Sequence, residues 1–219
     1  MNVPLPTSHV HEASGGRAEH PHPVRRQWAS VASVSTPDLP GAAAHATAML
    51  ACLGVDLTGE STARTPERMV GAFAELLNPR PFHLTTFPND GGYDELIVAR
   101  SIPVRSLCEH HMLPFIGTAD IGYLPGDRIV GLSKLARVLE HFSHRPQVQE
   151  RLTTQVSHWL RDQLGANGVG VVIEAEHLCM TLRGVHTPGT TTVTSSLLGS
   201  LRDDPRTRAE FLALTRPNG

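Results

Sequence analysis

The sequence predicts an α+β fold built on an antiparallel four-stranded sheet with helices on one face, preceded by an N-terminal helical extension. Two observations predict this class. Residues 94–105, 115–124, 169–179 and 190–195 show the composition and turn signals of strands. Between the second and third of these runs lie two segments with the 3.6-residue periodicity of amphipathic helices. The predicted order of the core is therefore β-β-α-α-β-β, which is typical of an antiparallel sheet covered by helices.

Three regions are predicted along the chain. Residues 1–36 are rich in Pro, Ser, Gly and His and lack apolar periodicity. We expect a disordered tail there, because this composition buries too little apolar surface to offset the entropy of ordering. Residues 37–92 are expected to form an N-terminal helical region. Residues 93–219 are expected to form the main domain, which ends in a short helix starting at Asp204-Pro205.

The individual helices are predicted from their apolar faces and their ends. The first has Ala46, Met49, Leu50 and Leu53 on one face, with Gly54 placed to cap it. The second opens at Thr65-Pro66, where a capping hydroxyl precedes a proline at the first helical position. Of the two helices inside the main domain, the first starts at Ser133 and the second spans 147–164.

Composition restricts the class of protein. The chain has 219 residues, of which 40% are hydrophobic and 18% charged, with a formal net charge of -2. That charge argues against a protein that coats nucleic acid, and no apolar run approaches the length of a membrane span. The amino terminus lacks the pattern of a signal peptide, and three cysteines suggest reduced thiols instead of a disulfide framework. We therefore expect a cytoplasmic protein.

Two short motifs predict a metal site. In CEHH, Cys108 and His111 are three residues apart, and in HLC, His177 precedes Cys179 by two positions on a predicted strand. Thiolate and imidazole together suit zinc. Two cysteines and one histidine would leave a fourth position open, as in catalytic sites, with His110 and His177 flanking it as an acid–base pair. The alternative is a closed structural site in which His110 or His177 is the fourth ligand.

Five blocks of sequence resemble the GTP cyclohydrolase I family, in order and spacing, between about residue 37 and residue 214. They read CEHHMLPF, GLSKLARVLEHF, RPQVQERLT, HLCMTLRGV and TTVTSS. The resemblance implies the tunnelling fold for the catalytic domain, one Zn²⁺ per subunit, and hydrolytic opening of GTP at C8 with release of formate. The product implied is 7,8-dihydroneopterin triphosphate, the first intermediate of folate and pterin biosynthesis. It also implies that Cys108, His111 and Cys179 are the metal ligands and that His110 and His177 are catalytic.

The same resemblance suggests the residues that bind GTP. An independent hint comes from Lys134, which is the single lysine among 19 Lys and Arg residues and lies at a predicted helix start, where backbone N–H groups favour an anion. The family's triphosphate pocket and guanine readers imply a substrate-binding set of Ser133, Lys134, Arg137, Gln149, Glu150, Arg183 and, as the weaker candidate, Arg68.

The expected partners are GTP and further copies of the chain, with no nucleic acid and no membrane. The family implies a homodecamer of two face-to-face pentamers. Asp120 departs from the family pattern, since many members carry His there, and this bears on local packing and not on the reaction. Two rival functions are a nitrile reductase on the same fold, which would use a cysteine nucleophile and no such zinc site, and a catalytically inactive, zinc-stabilised paralogue that acts as a binding or assembly module.

Overall fold

A computed structural model describes residues 36–215 of the chain. The segment predicted to be a disordered tail, residues 1–36, lies outside these residues except for its last position. The helices are α1 Leu39–Cys52, α2 Thr65–Leu77, α3 Leu132–Ser143, α4 Gln149–Leu164, α5 Leu178–Thr181, α6 Ser200–Asp203 and α7 Pro205–Thr215. The strands are β1 Thr86–Pro88, β2 Ile97–Cys108, β3 Pro114–Leu124, β4 Arg128–Val130, β5 Pro146–Gln147, β6 Gly168–His177 and β7 Thr191–Gly199.

The fold is of the mixed α+β class that the sequence predicts. Strands β2, β3, β6 and β7 are joined in that order by antiparallel pairing, and α3 and α4 lie between β3 and β6 in the chain. Strand β5 adds two residues in parallel to the end of β2, beside Cys108, and β1 and β4 form a separate two-stranded sheet. These two small additions were not predicted, because strands of two or three residues leave no periodic signal.

One face of the sheet carries the main core. Alternate side chains of β6, from Val169 to Ala175, are buried with the apolar face of α3 and the buried residues of α4. The prediction that helices cover a single face is wrong for α7. Its Phe211 is buried on the opposite face, where Gly122 and Gly170 leave space for the ring. A Cβ atom at either glycine would occupy that space.

The N-terminal helices α1 and α2 pack against each other. The Asp38 carboxylate accepts a hydrogen bond of 2.9 Å from the Gly41 N–H at the start of α1. Of the four residues predicted as the apolar face of α1, only Ala46 is buried, and Met49 is 48% exposed. The apolar face is thus only partly covered within the described chain. No helix among residues 36–215 is both long and apolar enough to cross a bilayer.

Asp120 has a definite role in β3. Its carboxylate accepts a hydrogen bond of 2.7 Å from the main-chain N–H of Ser101. Ser101 lies at an irregularity in the pairing of β2 with β3 and has a φ of 55°. The carboxylate therefore satisfies a backbone donor that the bulge removes from the sheet ladder.

Candidate metal centre and flanking histidines

Cys108, His111 and Cys179 come together as a cluster of three potential metal ligands. One ligand atom from each residue lies within 4.8 Å of the other two. Both cysteines are buried and His111 is exposed. It is the only such group of three or more ligating side chains found in residues 36–215. The three residues that the sequence predicts as a metal site thus lie together in the fold.

A tight turn after β2 places His111 beside Cys108. The N–H of Met112 donates to the Cys108 carbonyl at 2.8 Å, and Met112 has a φ of 53°. The turn folds the imidazole back over the strand end, so that His111 Nδ1 is 3.8 Å from the Cys108 sulfur. A spacing of three residues suffices for two ligands because the backbone reverses between them.

Cys179, the third residue of the cluster, follows strand β6. In the β3–β6 register, Phe115 is opposite His177, so β6 ends next to the start of β3 and the turn that follows β2. The prediction that the strand continues to Cys179 is wrong, since β6 ends at His177 and Cys179 lies in the short helix α5. Cys179 reaches the cluster through this helical turn and not through the alternation of a strand.

The chemistry of the cluster fits a soft divalent cation. Burial raises the pKa of the Cys179 thiol, and the nearby Cys108 sulfur raises it further, while Arg183 acts in the opposite direction. The Cys179 thiol therefore resists ionisation without a compensating charge. Two sulfurs and one imidazole nitrogen are donors that zinc prefers, and three protein ligands would leave the ion available for chemistry with a substrate.

Two further histidines flank the cluster. His110 is exposed, and its Nδ1 is 3.8 Å from the Cys108 sulfur. The His177 ring lies parallel to the Phe115 ring, with centroids 4.7 Å apart and planes inclined by 10°. Burial lowers the pKa of His177, and the negative charge of Glu150 partly opposes this effect. His110 is thus beside Cys108, and His177 precedes Cys179 by two residues; neither belongs to the cluster of three.

Comparison with known proteins decides the family. The sequence profile of GTP cyclohydrolase I matches residues 42–216, which is most of the chain. The chain belongs to the GTP cyclohydrolase I family. It is 48% identical to GTP cyclohydrolase 1 of Synechococcus sp. over 181 residues, covering 81% of this chain and 79% of that protein. It is also 48% identical to GTP cyclohydrolase 1 of Aquifex aeolicus over 164 residues, covering 75% of this chain and 89% of that protein.

A solved structure of the apo form of an archaeosine synthase, QueF-Like, is a distant match. It is 12% identical and covers 48% of this chain and 93% of that one, with a TM-score of 0.38. This similarity is too low to support any statement about fold or function. The family assignment depends on the sequence comparisons alone.

The residues that family resemblance implies for the triphosphate lie on several elements. Ser133, Lys134 and Arg137 are in the first two turns of α3, with Ser133 and Arg137 exposed. Arg183 follows α5 and is exposed. Arg68, on α2, donates to the Ser61 carbonyl at 2.6 Å. Among residues 36–215, no hydrogen bond or ion pair joins any of these side chains to the three clustered residues.

Two residues at the start of α4 differ sharply in their surroundings. Glu150 is exposed in the first turn, and its carboxylate makes no hydrogen bond or ion pair within residues 36–215. Gln149 is only 1% exposed, and its side chain contacts β6, β7 and His177. The structure therefore leaves Glu150 available to a ligand, whereas the Gln149 amide is already engaged inside the chain.

Sequence reasoning missed two contacts that support the site. Phe115, which stacks on His177, is visible in the sequence only as one more apolar strand residue. Glu109 forms an ion pair with Arg151 of α4, and its N–H donates to the Gln147 carbonyl at 3.0 Å. The position of Glu109 between Cys108 and His111 in the sequence indicates that it is close to the site. Its partner Arg151 is far away in the chain and could not be identified without the fold.

Proposed function

We propose that the protein catalyses the hydrolytic opening of the imidazole ring of GTP at C8, releasing formate and forming 7,8-dihydroneopterin triphosphate. The observation that carries this proposal is the cluster of Cys108, His111 and Cys179 with a histidine on either side. Membership of the GTP cyclohydrolase I family supports the same reaction and substrate. The product would enter folate or pterin biosynthesis.

Cys108, His111 and Cys179 would hold one zinc ion per subunit. When bound, zinc supplies Lewis-acid activation of water and polarisation of the substrate. The three residues fit this ion because their donors are soft and their number leaves one coordination position open. The buried cysteines would give the ion an environment of low polarity, in which its charge acts strongly on nearby groups.

His110 and His177 would transfer protons during the reaction. Hydrolysis at C8 requires a proton to leave the attacking water and another to reach the departing ring nitrogen. An imidazole can do both near neutral pH. The low pKa that burial gives His177 favours its neutral form, which is the form that accepts a proton. His110 contacts Cys108, and His177 precedes Cys179 by two residues, which supports a place for both histidines beside a substrate.

The substrate would be bound by charge at one end and by hydrogen bonds at the other. Ser133, Lys134 and Arg137 surround the N-terminal end of α3, where backbone N–H groups favour an anion, and Arg183 and Arg68 would add positive charge for the triphosphate. The exposed carboxylate of Glu150 would accept hydrogen bonds from guanine N1–H and the 2-amino group.

We further infer the tunnelling fold and a homodecamer of two pentamers. The antiparallel core β2-β3-β6-β7, with α3 and α4 on one face, is consistent with that fold. Within residues 36–215, the outer edge of β7 has no partner strand. The outer edge of β2, opposite β3, is paired only at Leu107 and Cys108. Free edges of this length are normally paired or covered, and neighbouring subunits would do so.

A catalytically inactive, zinc-stabilised relative is the less favoured function, because every implied metal and catalytic residue is present. The deciding experiment incubates the zinc-loaded protein with GTP and measures formate together with the absorbance of the pterin product. We expect stoichiometric formate release. A protein that binds zinc and GTP but releases no formate would contradict the proposal and support the inactive relative.

A further inference from the structure

Gln149 is held by four hydrogen bonds at the boundary between α4 and the sheet. Its Nε2 lies 3.0 Å from the Ile173 carbonyl oxygen, 2.9 Å from the Thr192 carbonyl oxygen and 3.1 Å from Thr194 Oγ1. Its Oε1 lies 2.8 Å from Nε2 of His177. The side chain therefore connects strands β6 and β7 to one of the two histidines beside the metal cluster.

The chemistry of these partners fixes which end of the amide is which. Main-chain carbonyl oxygens of Ile173 and Thr192 can only accept hydrogen bonds, so the group that faces both of them must be the amide NH₂. The opposite end, facing His177, must then be the amide oxygen. This assignment follows from the two carbonyls and does not depend on the placement of any hydrogen atom.

The amide oxygen in turn determines the tautomer of the histidine. An amide oxygen only accepts, so Nε2 of His177 must carry a hydrogen to make the contact. In the neutral ring, Nδ1 is then the nitrogen with the free lone pair. We propose that Gln149 is a positioning residue that fixes the Nε2–H tautomer of His177, so that protons enter and leave this imidazole through Nδ1.

Surrounding contacts hold this arrangement rigid. Phe115 stacks on the ring and restricts rotation out of its plane. The Thr153 hydroxyl bonds to the Gln149 carbonyl oxygen at 2.7 Å and to the Thr194 hydroxyl at 2.6 Å, which fixes the first turn of α4 against β7. A glutamine that only filled space would not need both ends of its amide matched to partners of opposite character.

The inference rests on the proposed function, since it assigns a proton-transfer atom to a histidine that is catalytic only in that reaction. It also gives Gln149 a different task from the reading of guanine that family resemblance implied. Its two N–H groups are shared among three acceptors inside the chain, and its oxygen faces His177. Glu150, with an unengaged carboxylate, remains to recognise the base.

Steady-state kinetics of zinc-loaded Gln149→Met separates the two roles. Methionine keeps the length of the side chain but neither accepts from His177 nor donates to the carbonyls. For a positioning residue we expect kcat to fall by about tenfold to a hundredfold, with the KM for GTP changed by less than about twofold. The ratio of kcat/KM for GTP to that for inosine triphosphate, which lacks the 2-amino group, should stay the same.

A rise in KM accompanied by a changed preference between GTP and inosine triphosphate would overturn the inference, because it would make Gln149 a reader of the base. Zinc content is measured in parallel and is expected to equal that of the wild type. Glu150→Gln serves as the kinetic reference for a base reader, in which KM and the preference between the two nucleotides should both change.

A spectroscopic readout tests the tautomer directly. Solid-state NMR of zinc-loaded protein with ¹⁵N-labelled histidine, assigned with His177→Asn, should show His177 protonated at Nε2 and not at Nδ1 when the ring is neutral. Gln149→Met should lose this uniform pattern. The matched control is Gln147→Met, which removes another glutamine that is 1% exposed and does not contact His177, and should keep the pattern.

Two results would contradict the tautomer assignment: a wild-type His177 protonated at Nδ1, or the same spectral change in both glutamine variants. Failure of the proposed function looks different. In that case the wild type would release no formate from GTP, while the NMR pattern of His177 would still report whether Gln149 fixes its tautomer.

Discussion

Glu109 and Arg151 form an ion pair that ties the CEHH turn to the first turn of α4. The side chains are 33% and 39% exposed, so the pair lies at the rim of the site. Arg151 also donates through Nε to Gln147 Oε1 at 2.9 Å. The turn that carries His110 and His111 is therefore anchored to the same helix end that carries Gln149 and Glu150.

This anchor should matter more for metal binding than for stability. A partly exposed ion pair contributes only about 0–1 kcal/mol to folding, so Arg151→Met should shift the free energy of unfolding little. Without the anchor the turn can move His111, and we expect zinc affinity to fall by about tenfold. Competition with a chromogenic chelator measures it.

The control for this variant is Arg161→Met, which removes an exposed pair with Asp162 on the same helix and should leave zinc affinity unchanged. Arg151→Lys should recover only part of the loss, because an ammonium cannot donate to Glu109 and Gln147 in the same planar geometry. Equal zinc affinity in wild type and Arg151→Met would show that the turn is rigid without the pair.

The metal ligands and the flanking histidines should respond differently to substitution. Cys108→Ala and Cys179→Ala each remove one of only three protein ligands, so zinc and turnover should disappear together. His110→Ala should retain most of the zinc while kcat falls by roughly a hundredfold or more. Metal content by atomic absorption is measured beside the rate of formate release. If His110→Ala loses zinc as completely as His111→Ala, the division of roles is wrong.

Base selection should depend on Glu150. Guanine offers N1–H and a 2-amino group to a carboxylate, whereas adenine presents an acceptor at N1 and no 2-amino group. Sites that use such hydrogen bonds discriminate by about 10⁴–10⁵, so we expect GTP turnover without detectable ATP turnover. Glu150→Gln should lower kcat/KM for GTP sharply and leave zinc content intact. A near wild-type kcat/KM would mean that guanine is recognised by other groups.

The contact between Asp120 and Ser101 predicts a purely structural effect. Asp120→Ala leaves the Ser101 N–H without its acceptor and should cost about 0.5–1.5 kcal/mol of unfolding free energy in urea. Asp120→Asn keeps an acceptor oxygen and should cost less. Since Asp120 makes no contact with the metal cluster among residues 36–215, formate release per folded molecule should be unchanged. Equal losses from Ala and Asn would show that the charge, and not the hydrogen bond, is what matters.

His141 should make the protein less stable in mild acid. Burial lowers the pKa of His141, and the positive charge of Arg145 lowers it further. The unfolded chain, in which His has a pKa of about 6.5, then binds the proton more readily than the folded chain. Stability from the neutral ring is present above about pH 6.5 and is lost as pH falls toward the lowered folded pKa.

Urea unfolding at a series of pH values from 7.5 to about 5 measures this dependence. His141→Leu should flatten the curve, whereas His83→Leu, which removes an exposed loop histidine, should not. The curve will keep some slope because burial also lowers the pKa of His158 and His177. An unchanged curve in His141→Leu would show that this ring does not contribute.

Periodicity was sufficient for the long elements of the fold. The helices α3 and α4 have strong apolar faces, and the four main strands have strand-like composition with turn signals, so their order could be predicted from the sequence. Short elements could not. Strand β5 and helix α5 are defined by tertiary contacts at Cys108 and by the chain reversal at Cys179, and neither carries a periodic pattern.

The site divides in the same way. The three clustered residues could be predicted because the chain has only three cysteines and two of them stand in short motifs with histidine. The surroundings of Gln149 were not, because glutamine has no chemistry that distinguishes a base reader from a buried bridge. Only burial and the positions of two carbonyl oxygens show that its side chain joins α4 to the sheet. The placement of Phe211 on the second sheet face was equally hidden, since it depends on glycines in two other strands.

The position of the three ligands in the chain has a consequence for how the protein is assembled. Cys108 ends β2 and Cys179 follows β6, so the whole of β3, α3 and α4 lies between them. A complete set of ligands exists only after β3 and β6 have paired in register. An ion held by all three residues would therefore bind the folded sheet and not the open chain, so its binding free energy would stabilise the completed fold. A chain with a misaligned sheet would lack the complete set of three residues.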